Sequence, residues 1–82
     1  MRWYTKAAEQ GTIDAQYRLG SMYYKGEGVA QDYKSAHMWF NIAAANGKGK
    51  AVKGRDLAAK KMTPSQIEKA QDMAREWMAE HQ

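Results

Sequence analysis

Few residues in this chain of 82 could do chemistry, and each group points to a different kind. His37 and His81 are its only histidines, and it has no cysteine. They fall on different predicted helices without a carboxylate pair beside them. Neither the ligand spacing of a zinc site nor a nucleophile–base–orienter set can be assembled from them. Both are therefore expected as exposed or flank-packed side chains. Lys25-Gly26-Glu27-Gly28 has the glycines of a phosphate loop. Phosphate loops follow a strand and present N–H groups with help from lysine or serine, whereas this one joins two predicted helices and carries Glu27. Its glycines serve turn geometry. No catalytic residue, cofactor or metal is expected, and the chain is read as a non-enzyme.

Charge and aromatic placement are more informative. The formal net charge is +4, and Lys48, Lys50, Lys53, Arg55, Lys60 and Lys61 face only Asp56 in their stretch. That imbalance favours a partner of acidic character. A purely structural role as the C-terminal cap of a larger repeat array is one alternative reading, and a nucleic acid bound through the basic helix is the other. Stacking platforms for single strands are missing there, since no aromatic lies between Phe40 and Trp77. Tyr17, Ser21 and Tyr24 recur at i, i+4 and i+7, opposite a face formed by Ala15, Leu19 and Met22.

Helices have to position these groups, and a repeat sets the helices. Trp3-Tyr4-Thr5-Lys6-Ala7-Ala8-Glu9-Gln10-Gly11 returns 36 residues later as Trp39-Phe40-Asn41-Ile42-Ala43-Ala44-Ala45-Asn46-Gly47. A period between about 20 and 50 residues marks stacked supersecondary units. The first helix spans residues near 2–10 and ends at Gly11. Thr12 is the expected cap of the next, which buries Ala15, Leu19, Met22 and Tyr23 and carries Gly20. Glycine inside a helix costs about 1 kcal/mol against alanine, so a neighbouring helix must approach it closely. A connection over 25–31 follows, with Val29 tucked back as an apolar plug. Asp32 caps a helix whose buried stripe is Tyr33, Ala36, Phe40, Ala43 and Ala44, with Trp39 on its flank, and Gly47 ends it. A helix near 49–61 buries Ala51, Val52, Ala58, Ala59 and Met62. Thr63-Pro64-Ser65-Gln66 is a capping box with proline at the first helical position. It opens a last helix with Ile67, Ala70, Ala74, Trp77, Met78 and His81 on one side. Lacking the repeat signature, this helix is read as a terminal cap.

The stretch from Ala15-Gln16-Tyr17-Arg18-Leu19-Gly20 through Tyr23-Tyr24-Lys25-Gly26-Glu27-Gly28-Val29 to Asp32-Tyr33, completed by Ala36, Trp39, Ala43, Ala44 and Gly47, resembles the Sel-one-like repeat, a relative of the tetratricopeptide repeat. The likeness covers residues 12–47, includes 3–11 as the end of a preceding unit, and fades after Gly47. The segment from Met62 resembles a tail that follows the last repeat in some bacterial members. The resemblance implies an all-α fold of antiparallel α-hairpins in a right-handed superhelix. It also implies an adaptor role in protein complexes without shared catalytic residues. The whole chain is then one helical-repeat domain: a partial repeat over 1–11, a complete one over 12–47, a partial repeat helix over 48–62 and a capping helix over 63–82.

One period after Tyr17, Ser21 and Tyr24 stand Lys53, Leu57 and Lys60. If first helices of successive units line the inner curve, that curve suits an extended or helical peptide with acidic and aromatic groups. Its expected contacts are Tyr17, Arg18, Tyr24, Lys53 and Lys60. The first unit lacks its cap and opening turn, so an edge bearing Trp3 and Tyr4 is expected to self-associate. No apolar run approaches the roughly 20 residues of a membrane span. The N-terminus lacks the basic-then-apolar pattern of a leader, which favours a cytoplasmic location.

Overall fold

A computed structural model describes residues 2–81, with side chains described from Thr5 to His81. Trp3 and Tyr4, the expected self-association edge, therefore lie outside the described side chains. The fold is all-α, and its five helices are α1 (Arg2–Glu9), α2 (Ile13–Lys25), α3 (Tyr33–Ala45), α4 (Gly49–Ala59) and α5 (Pro64–Glu80). No strand occurs among the described residues.

The repeat persists down to single hydrogen bonds. Thr12 N donates to Ala7 O at 3.1 Å, and one period on Lys48 N donates to Ala43 O at 3.0 Å. Likewise Gly11 N reaches Ala8 O as Gly47 N reaches Ala44 O, both at 3.1 Å. Both turns need left-handed backbone, with φ +91° at Gly11 and +104° at Gly47, a region open to glycine at no steric cost. The caps differ in strength. Asp32 accepts from Lys34 N at 3.1 Å and from Ser35 Oγ at 2.7 Å. Thr63 and Gln66 exchange both bonds of the capping box. Thr12 occupies the cap position of α2, but its side chain makes no capping hydrogen bond.

Helix α3 lies at the centre, packed against α2, α4 and α5, while α1 packs on α2. Two apolar clusters result. One joins Ala8, Leu19, Trp39, Ile42 and Ala74, and the other joins Ala36, Phe40, Ala43, Ala51 and Ala58. Phe40 passes between the backbones of two helices. A Cβ added at Gly20 would stand 2.7 Å from its ring, and one added at Gly54 would stand 2.6 Å from it. The close approach expected at Gly20 is thus present, and Gly54 mirrors it from α4.

Three expectations are corrected. Trp39 is a core residue, 6% exposed, with its ring edge-to-face on Trp77 at 5.5 Å. It has no open flank because α5 covers that side of α3. Val52 is 39% exposed, not part of the buried stripe of α4, which consists of Ala51 and Ala58. His37 is neither exposed nor on a flank but buried in α3.

Candidate functional site

Between α2 and α4 runs a groove of about 390 Å³ lined by Tyr17, Ser21, Tyr24, Lys25, Phe40, Lys50, Lys53, Gly54 and Leu57. Two features of the sequence create it. The i, i+4, i+7 spacing of Tyr17, Ser21 and Tyr24 turns them away from the Leu19 face of α2. The Gly20–Phe40–Gly54 contact then draws α2 and α4 onto the same ring of α3. Leu57, an exposed large apolar side chain at 49%, stands on the α4 wall.

Of the five expected contact residues, the groove brings together Tyr17, Tyr24 and Lys53. Arg18 opens instead onto an adjoining cleft of about 820 Å³, which shares Tyr17, Ser21, Lys25 and Lys50 with the groove. Lys60 is exposed at the C-cap of α4 and is not among the lining residues. Lys50 and Leu57, absent from the expected set, complete the walls. The signal for Leu57 was available, since it stands one period after Ser21 on an otherwise polar face.

The tyrosine rings are held by their neighbours. Tyr17 packs on Phe40 with centroids 5.7 Å apart, and Lys48 Nζ lies 5.6 Å from the centroid of its ring. Tyr24 meets Tyr33 edge-to-face at 5.5 Å. Lys48 also donates to Asp14 Oδ1 at 2.9 Å, tying the start of α4 to α2. That bond, and then the charge of Lys48, hold the Asp14 carboxyl below its ordinary value. Lys25 lies 3.9 Å from Glu27, with both side chains mostly in solvent, a pairing of little strength. Arg55 is half-buried between α3, where Nη1 donates to Asn41 Oδ1 at 3.5 Å, and the solvent, where Nε lies 3.8 Å from Asp56. The basic stretch is therefore divided between groove, core edge and solvent.

Two polar side chains are buried against expectation: Gln16, which no sequence signal marked, and His37, expected at the surface or on a flank. Gln16 is fully buried; its Nε2 donates to Ala8 O at 3.0 Å, and its Oε1 accepts from Asn46 Nδ2 at 3.0 Å. It thereby joins α1, α2 and the end of α3. His37 is 2% exposed, and its Nδ1 has no hydrogen-bond partner. Burial, and then the charge of Arg55, lower its pKa below the ordinary 6.5, with Asp56 acting in the opposite sense. Between the two pKa values the unfolded chain binds a proton that the folded chain does not. Stability is thus full above about pH 6.5 and is lost as pH falls below it. Asp14, whose depressed pKa matters only in stronger acid, does not interfere in that window. Urea midpoints measured near pH 7.5 and near pH 5.5 should fall more for the native chain than for His37→Phe. Equal pH slopes in the two proteins would show that the imidazole is not buried as described.

Among the described residues, no group of three or more His, Cys, Asp or Glu converges to hold a metal ion. No described helix is long and apolar enough to cross a membrane.

Comparison with known proteins gives consistent results. A family model described as the Sel1 repeat matches residues 1–12 and 13–48. Chitin synthase regulatory factor 3 of Schizosaccharomyces pombe is 49% identical over 51 residues, which is 62% of this chain and 6% of that protein. An uncharacterized Sel1-like repeat-containing protein of the same yeast is 46% identical over 41 residues, 50% of this chain and 6% of its own length. The chain thus spans only 6% of either curated relative. Among solved structures, c5321, a protective antigen of uropathogenic Escherichia coli strains displaying an SLR fold, superposes with a TM-score of 0.90 at 36% identity. That match covers 96% of this chain and 17% of the other.

Proposed function

The chain belongs to the Sel1 repeat family, and from that premise we propose that it is a non-catalytic scaffold holding a protein or peptide partner in the groove between α2 and α4. Sel1 repeats are generally protein–protein interaction modules, and the fold is typically a non-catalytic scaffold. The relative named as a regulatory factor is in keeping with a module that acts through what it holds. The observation that carries the reading is Leu57, a large apolar side chain left 49% exposed on the wall of a concave surface already lined by tyrosines. Helix α5 supports the groove from behind by closing the far side of α3, where Ala70 and Ala74 are buried and Trp77 meets Trp39. In this reading α5 is the terminal cap of the array.

Selection from a displayed random-peptide library against the folded chain tests the proposal. Enriched peptides should lose roughly tenfold or more in affinity, about 1.4 kcal/mol, when Leu57→Ser is combined with Lys53→Ala. Both side chains are exposed, so the helical circular dichroism should be unchanged. Peptides that bind the double variant as tightly as the native chain would place the binding surface elsewhere.

A further inference from the structure

Resting on the groove reading above, we infer that the occupant is a short acidic peptide segment carrying one bulky apolar side chain. The apolar group lies against Leu57 and the two tyrosines, and the flanking carboxylates pair with Lys50 and Lys53. Charge complementarity carries the first half of this statement. Lys25, Lys50 and Lys53 line the groove, and no carboxylate is among its lining residues. Lys25 has Glu27 nearby, but no ion pair engages Lys50 or Lys53 among the described residues. The carboxylates of the adjoining cleft, Asp14 and Glu27, are already paired with Lys48 and Lys25. Two ammonium groups without an ion pair, beside an exposed leucine, ask for a partner with opposite charge and an apolar anchor.

Size limits the segment. From Tyr17 to Tyr24 the wall of α2 rises by roughly 10 Å, at about 1.5 Å per residue. About three extended residues span that distance. The apolar side chain therefore has carboxylates as immediate neighbours, within reach of the long lysine side chains on the α4 wall.

A nucleic acid would satisfy the lysines equally well, but base stacking needs free ring faces. Tyr17 is packed on Phe40 and has Lys48 close to its ring, while Tyr24 is engaged by Tyr33. Each tyrosine already has a ring neighbour and is only half-exposed, whereas Leu57 is an exposed apolar contact that a base does not need. The peptide is favoured.

Fluorescence anisotropy with labelled synthetic probes tests this on the native chain. The probes are a peptide with leucine flanked by aspartates, the same peptide with asparagines, the same with lysines, and an oligothymidylate. At low salt the aspartate peptide should bind roughly tenfold tighter than the asparagine peptide. The difference should shrink in about 1 M salt, where the screening length is about 3 Å. Lys50→Glu with Lys53→Glu should reverse the preference to the lysine peptide, a change of sign that a merely misfolded variant would not produce. Leu57→Ser should weaken the aspartate and asparagine peptides alike.

Equal binding of those two peptides, both weakened by Leu57→Ser, overturns the acidic occupant and leaves the groove standing. Binding that Leu57→Ser does not touch overturns the groove as well. Failure of the aspartate peptide to bind, an unchanged preference in the charge-reversed variant, or tighter binding of oligothymidylate than of any peptide each overturns the inference.

Discussion

Phe40→Ala should cost about 3–5 kcal/mol, a loss comparable with the whole stability of many small domains. The ring is 3% exposed and fills the space between α2 and α4, with Ala36, Ala43, Ala51 and Ala58 around it. Alanine at position 40 leaves a cavity that cannot collapse easily, because its walls are helix backbones at Gly20 and Gly54. The same geometry sets the sign of the reverse change. Alanine at Gly20 or Gly54 gains about 1 kcal/mol of helix propensity. It also drives a Cβ to within 2.7 or 2.6 Å of the ring, and overpacking typically costs about 1–3 kcal/mol. Since both glycines lie against the same ring, Phe40 cannot yield to a Cβ on one helix without changing its contact with the other. Urea denaturation followed by circular dichroism checks both. A Phe40→Ala midpoint close to that of the native chain would mean that the two helices are not locked through this ring.

Trp39→Ala should cost a similar amount, about 3–5 kcal/mol, but through the opposite face of α3. Trp39 packs with Ala8, Leu19, Ile42 and Ala74 and meets Trp77 edge-to-face. Its loss should release α5 first, because α3 is the helix on which α5 rests. The milder Trp39→Phe, which keeps an aromatic ring, should stay folded and reveal the order of events. Its α5 amides should exchange hydrogen faster while those of α2 keep their protection. Uniform loss of protection across all helices, or native protection in α5, would contradict this docking.

How far the site was legible follows from where each signal arises. Tyr17, Tyr24 and Lys53 could be expected along one groove because one helical period and one repeat period place them on the same side of α2 and α4. Lys50 needed knowledge of how α4 is rotated against α2, and so did the departure of Lys60 from the groove. Gly54 gave no periodic warning, since Arg18 holds the equivalent slot one period earlier. Only the meeting of α4 with the Phe40 ring explains it.

Helix number, turn glycines, the Asp32 cap, the Thr63–Gln66 capping box and the family were all readable from the chain alone. Each depends on residues a few positions apart, or on a pattern repeated along the sequence. The tertiary structure decided that Trp39 and His37 are buried, that Gln16 bridges three helices, and that Val52 faces water. For Trp39 and His37 the reason is that α3 is covered on three sides, by α2, α4 and α5. A helix enclosed in that way buries more than the single stripe that its periodicity displays, and only the arrangement of its neighbours shows which further residues turn inward.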